Sequence, residues 1–165
     1  MKKIVFVFIL LMGGMSFCFS QNAVPSVKLK NLKGTTVNTS ELSNNGNPII
    51  ISFFSLWCKQ CIKELNDIHS VYNEWQEDTG VKLIAVSIDD SENSDKVKST
   101  INANRWKYDV LLDSDGKLKQ ALSVNLIPAV FVIDGNGTIV YSRTGYEEEG
   151  EKQLIKEVRK LAKKE

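Results

Sequence analysis

Apolar and polar positions change their spacing from one segment of the chain to the next, and that spacing predicts its elements. From Val24 to Thr39 the apolar residues Val27, Leu29, Leu32 and Val37, with a turn at Lys33-Gly34, describe a small hairpin or extended arm. Asn44 to Pro48 is turn-rich. The run Ile49-Ile50-Ile51-Ser52-Phe53-Phe54 is short, β-branched and aromatic, as in a strand covered on both faces. Beyond it Ile62, Leu65, Ile68, Tyr72 and Trp75 recur at spacings of three and four, which marks one amphipathic helix ending near Thr79-Gly80.

Leu83 to Ile88 is a second apolar strand, and Asp89 to Ser94 a polar loop leading into a weaker helix that carries Val97 and Ile101. Val110 to Leu112 is a short extended segment, Lys117 to Leu122 a short helix, and Ala129 to Ile133 a third strand. Asp134-Gly135-Asn136-Gly137 is a hairpin turn into Thr138 to Ser142. The last helix carries Leu154, Ile155, Val158 and Leu161. Acids from Glu147 to Glu151 near its start and Lys160, Lys163 and Lys164 near its end complement the helix dipole, so these charge runs require no partner. Strands alternating with helices, closed by a hairpin and a helix, predict an α/β fold with a mixed sheet and no second domain.

The N-terminus follows a different logic. Lys2 and Lys3 precede an apolar run from Ile4 to Met12, then Gly13, Gly14 and Met15, the pattern of a secretory signal peptide. Small residues at Cys18 and Ser20 put the expected cut after Ser20, leaving residues 21–165 as the domain. Lipidation of Cys18 and an uncleaved anchor are the alternatives; bulky Phe17 suits lipidation poorly. All three readings make the domain periplasmic or otherwise extracytoplasmic. Composition adds two exclusions: with 42% hydrophobic and 25% charged residues the chain is neither collagenous nor disordered, and a formal net charge of +1 offers no basic surface for nucleic acid.

With Cys18 assigned to the leader, Cys58 and Cys61 are the cysteines left in an exported chain. A domain of this size buries an adequate core without staples, and a bridge over so short a loop restricts the unfolded chain little. Chemistry explains the pair better than stability does. Cys58 stands where a buried strand gives way to a helix, so its sulfur lies near unpaired N–H groups and the positive end of the helix dipole, which favours a thiolate. Lys59 adds a positive charge. Cys61, three residues on and on the same helix face, is placed to attack a mixed disulfide formed at Cys58. Cys58 is thus read as the nucleophile and Cys61 as the resolving thiol.

Trp57-Cys58-Lys59-Gln60-Cys61 after an apolar strand, with Ile127-Pro128 before a later strand, resembles thioredoxin. The leader, the N-terminal β arm and the inserted helix and strand from about Ser94 to Leu112 look more like the exported TlpA/ResA-like thiol-disulfide oxidoreductases, over nearly the whole of residues 21–165. The resemblance implies a thioredoxin-like fold, a central mixed β-sheet flanked by helices. It implies a cis Pro128 facing the cysteines, where the alternative is an ordinary strand-start proline, and an Ile127 backbone that pairs with the substrate chain. Trp57 would border the substrate surface; its alternative is packing. Glu64 matches a glutamate that ResA-like members carry three residues after the second cysteine, implying a part in proton transfer at Cys61, against the alternative of a solvated helix acid.

The same resemblance implies protein thiols and disulfides as partners, a membrane thiol transporter as electron donor, apocytochrome c among the targets, and no cofactor besides the Cys58-Cys61 disulfide. A monomer is expected. Two departures leave the redox direction open. Ser52 stands where cytoplasmic thioredoxins keep a buried aspartate, so a base must come from elsewhere, with Glu64 the candidate; Gln60 stands where the family usually has proline. Lys59 stabilises the thiolate and pushes toward an oxidant, whereas an ionised Glu64 pushes toward a reductant. Reduction of protein disulfides is the reading the resemblance favours, against a disulfide-forming oxidase or a binding module with permanently bridged cysteines.

No metal site is expected. His69 is the only histidine, which reads as a surface or half-buried helix residue rather than a ligand. The threonine-containing loop of a peroxiredoxin is absent, and Asp113-Ser114-Asp115-Gly116 lacks the later ligands of a calcium loop and reads as a turn.

Overall fold

The computed structural model describes residues 22–162, so the expected leader lies outside the described residues. Seven strands form one sheet in the order β2-β1-β5-β4-β3-β6-β7. They are β1 (Lys28–Asn31), β2 (Thr36–Asn38), β3 (Ile49–Phe54), β4 (Lys82–Ser87), β5 (Asp109–Leu112), β6 (Ala129–Ile133) and β7 (Ile139–Thr144). Among the described residues four α-helices accompany them: α1 (Lys59–Thr79), α2 (Ser94–Ala103), α3 (Lys117–Ala121) and α4 (Gly150–Ala162). Strands β3, β4 and β5 run parallel, while β6 and β7 on one side and β1 and β2 on the other are antiparallel. The sheet is therefore mixed, and the N-terminal arm extends it by pairing β1 with β5.

Alternation along the strands divides the core into two layers. Ile50 and Phe54 of β3 face one way, onto Leu65, Ile68, Tyr72 and Trp75 of α1, Val97 and Ile101 of α2, and Leu154, Ile155 and Val158 of α4. Ile49, Ile51 and Phe53 face the other way, onto Leu118 of α3, Val24 and Leu29. Every residue of β3 is buried, which explains why no polar alternation marks it in the sequence. Helix α1 ends where expected: Gly80 takes the left-handed conformation at φ 65° and its N–H donates to Gln76 O at 2.9 Å.

The segment from Ser94 to Leu112 is structural as well as inserted. Phe54 and Trp106 meet edge to face, Trp106 Nε1 donates to Asn66 Oδ1 at 2.8 Å, and the buried Tyr108 hydroxyl donates to Leu65 O at 2.8 Å. The helix bearing the cysteines is thus tied to β5 from outside. On the opposite side the β6–β7 turn touches the Asn44–Asn47 turn so closely that a Cβ on Gly135 would lie 2.0 Å from Gly46 O. Among the described residues, no helix is long and apolar enough to cross a membrane.

Candidate active site

Strand β3 ends at Phe54 and the chain reaches α1 through Ser55, Leu56 and Trp57. Cys58 is the N-cap of α1, extended at φ −87° and ψ 92°, and its N–H donates to Ser55 O at 3.0 Å. Its Sγ accepts the backbone N–H of Cys61 at 3.2 Å, the position a capping oxygen usually takes. With no acidic side chain in the first turn of α1, the positive end of the helix dipole is left to the sulfur. Cys58 and Cys61 are joined as a disulfide across 5.3 Å between Cα atoms. Cys58 is 8% exposed and Cys61 only 1%, so the sulfur that an incoming group can approach is that of Cys58. Lys59 and Gln60 begin the helix on its exposed side.

The turn carrying Trp57 and Cys58 is held from beneath by Asp89, which sequence reasoning placed in a polar loop. Asp89 follows β4 and is buried. Oδ1 accepts from Ser55 Oγ at 2.6 Å, Oδ2 accepts from Ser87 Oγ at 2.8 Å, and the Leu56 N–H reaches both oxygens at 3.2 and 3.1 Å. An acid directly after an apolar strand beside the cysteine-bearing strand was the available signal.

Ile127-Pro128 is a cis peptide bond, and Pro128 is buried. Register places it: Ala129 pairs with Phe53, so the start of β6 lies beside the end of β3, which leads into the cysteines. Trp57 is 72% exposed, and Leu126 before the cis bond is likewise an exposed large apolar residue. Two apolar side chains therefore stand in solvent on the two segments that border the disulfide, a surface suited to contact with another chain.

Glu64 is not a solvated helix acid. It occupies the buried stripe of α1, one turn beyond Cys61, and is 3% exposed. Arg143 on β7 donates from Nη2 to Glu64 Oε2 at 2.6 Å, and both side chains are buried. Burial pushes the Glu64 carboxyl above its ordinary value, Arg143 opposes that shift, and Asp67 and Glu147 reinforce it. Glu64 Oε1 is buried with no hydrogen-bond partner among the described residues. Arg143 also donates from Nη1 to Gly145 O at 2.7 Å, and the Gly145 N–H donates to Pro128 O at 2.7 Å. The guanidinium lies against Gly150, where a Cβ would sit 3.1 Å from Nη2. Sequence reasoning missed Arg143, although it lies two residues from Tyr141 on the α1-facing side of β7, a cation in register with an apolar position.

Other candidates fall elsewhere. Ser52 is buried between Ile50 and Phe54, facing α1, and its Oγ has no partner among the described residues; β3, Ile-Ile-Ile-Ser-Phe-Phe, contributes no acid beneath the cysteines. His69 is half-buried and meets Tyr108 edge to face. Asp113 accepts from the N–H groups of Leu118 and Lys119 and Gly116 closes onto Asp113 O, the turn that starts α3.

A mixed sheet with a bridged Cys-x-x-Cys pair at a helix N-terminus and a cis-proline at the adjoining strand defines a thioredoxin-like thiol-disulfide oxidoreductase. The chain belongs to the AhpC/TSA family, whose sequence profile matches residues 21–142. It is similar to the sporulation thiol-disulfide oxidoreductase A of Bacillus subtilis, 31% identical over 87% of this chain and 90% of that one. It is 28% identical to the thiol-disulfide oxidoreductase ResA of Bacillus thuringiensis, over 83% of this chain and 75% of the relative. Among solved structures, a thioredoxin-like protein from Porphyromonas gingivalis is 57% identical, with a TM-score of 0.77 over 85% of this chain and 92% of that one.

Proposed function

We propose that this oxidoreductase is exported by residues 1–20 and reduces protein disulfides outside the cytoplasm, with Cys58 as nucleophile and Cys61 as resolving thiol. The observation that carries the assignment is the N-cap geometry, in which the more exposed Cys58 sulfur accepts the Cys61 N–H. In the dithiol form the Cys58 thiolate attacks a substrate disulfide; a new S–S bond forms at Cys58 and one substrate sulfur leaves as thiolate. Cys61 then gives its proton to Glu64 and its thiolate attacks Cys58 Sγ. The Cys58-Cys61 disulfide forms, the second substrate sulfur leaves as thiolate, and two electrons have passed from protein to substrate. Trp57, Ile127 and Pro128 form the surface against which the substrate chain lies, and a membrane thiol carrier is the electron donor that restores the dithiol.

Direction follows from the balance at the pair. The helix terminus and Lys59 favour the thiolate at Cys58, while an ionised Glu64 beside Cys61 disfavours negative charge there and makes the dithiol a better electron donor. Equilibration with dithiothreitol or glutathione buffers tests this. A potential near about −270 mV supports a reductant, and one near about −120 mV identifies a disulfide-forming oxidant instead.

A further inference from the structure

The Glu64-Arg143 pair has a geometry that stability alone does not explain. Taking both charges out of water is costly, and an apolar pair of similar volume often serves a core as well. The two nitrogens of the Arg143 fork go to different elements: Nη2 to Glu64 on α1, Nη1 to Gly145 O, whose N–H in turn holds Pro128 O. A single side chain thus spans from the helix that carries Cys61 to the residue of the cis peptide bond. It engages only Oε2 of Glu64, leaving Oε1 buried and, among the described residues, unpartnered one turn from Cys61.

We propose that Arg143 is a positioning residue for the thiol-disulfide exchange: its fork holds Glu64 by Oε2, ionised and oriented, so that Oε1 takes the Cys61 proton while the cis-proline segment is kept in fixed relation to the cysteines. This rests on the reading of Glu64 as the proton acceptor of Cys61. The charged groups facing Glu64 are Arg143 from β7, Glu147 from the loop before α4 and Asp67 from its own helix. Asp67 is itself engaged by Lys63 Nζ at 2.8 Å and by the Tyr146 hydroxyl at 3.3 Å. Arg143 is therefore the cation that opposes burial at this carboxyl, and without it Glu64 holds its own proton more tightly and cannot accept another.

The test isolates the second step. Reduced full-length protein is mixed with excess oxidised glutathione, quenched in acid at intervals between pH 5 and 9, and the Cys58-glutathione adduct is counted by mass spectrometry. In Arg143→Met the adduct should persist about ten-fold longer or more at neutral pH. The pH of half-maximal resolution should rise by about one pH unit or more. Arg143→Lys keeps the charge but loses the fork, and should give a midpoint between the two and a shorter-lived adduct than Arg143→Met. In Glu64→Gln the pH dependence should flatten, and adding Arg143→Met to it should leave that flat profile without a new midpoint. If Arg143→Met lowers the denaturation midpoint but resolves the adduct with the wild-type lifetime and pH profile, Arg143 only holds the fold and the proposal is overturned. Should Arg143→Met not fold, Arg143→Lys decides: a midpoint raised above that of wild type supports the proposal and the wild-type midpoint overturns it. A wild-type profile in Glu64→Gln identifies a different failure, that of Glu64 as acceptor.

Discussion

Removing the Asp89 carboxylate perturbs the cysteine-bearing turn without touching the cysteines. Asp89→Ala takes away the acceptors of Ser55 Oγ, Ser87 Oγ and the Leu56 N–H at once. Ser55 and Ser87 are fully buried, so their hydroxyls do not regain water. At about 1 kcal/mol for each stranded donor, the substitution should cost about 3 kcal/mol. That is a large part of the 5 to 15 kcal/mol by which a domain of this kind is typically stable. In urea unfolding of the oxidised protein it corresponds to a midpoint lowered by about 1.5 M. Asp89→Asn keeps one acceptor and the side-chain shape, so it should cost about 1 kcal/mol. The exposed Glu92→Ala nearby should stay within about 0.5 kcal/mol of wild type. A loss at Asp89→Ala no greater than that at Glu92→Ala would refute the idea that this carboxylate braces the turn.

Cys58→Ser should abolish turnover of a protein disulfide, whereas Cys61→Ser should accumulate a mixed disulfide with the substrate that mass spectrometry detects. Trp57→Ala should leave thermal stability within about 0.5 kcal/mol of wild type, because the side chain is 72% exposed. It should raise KM for a protein disulfide while leaving the rate with oxidised glutathione unchanged. Because burial raises the Glu64 carboxyl in the folded chain, the native state holds that proton to higher pH than the unfolded state does. This contribution to stability is full below the ordinary glutamate value and is lost as pH rises through the raised one. Urea unfolding of wild type and Glu64→Gln from pH 4 to 7 should show that slope in the first and not in the second. Gly135→Ala should lower stability by about 2 kcal/mol or more, since its Cβ would fall 2.0 Å from Gly46 O, a backbone atom that cannot yield cheaply.

Local chemistry made most of the fold legible. The α1 stripe, Gly80 at its end, the Asp134–Gly137 turn and the uniformly apolar β3 each carry their period or turn residue in the sequence, and boundaries moved by only a residue or two. What lay beyond reach was pairing across the sheet. That the short segment at Val110–Leu112 is an interior strand, joining β4 to the N-terminal arm, depends on register and not on its own composition. The site divides in the same way. Cys58, Cys61 and Pro128 announce themselves by spacing or residue type, but the burial of Glu64 and the exposure of Trp57 are features that a helix period indicates only in part. Glu64 in fact sits on the apolar stripe, three residues after Cys61 and four before Ile68. Its partner Arg143 is 79 residues away in the chain, a separation no local pattern bridges.

Exchange of the Cys58-Cys61 bond with disulfides of other proteins underlies every step of the mechanism. Its most direct test is the dithiothreitol-driven reduction of insulin, followed by turbidity, with wild-type protein and with Cys58→Ser. Wild type should precipitate the freed insulin chains well ahead of dithiothreitol alone, while Cys58→Ser, folded as shown by circular dichroism, should not exceed it. A folded wild-type protein that leaves the dithiothreitol rate unchanged, or a Cys58→Ser variant as fast as wild type, would contradict the account.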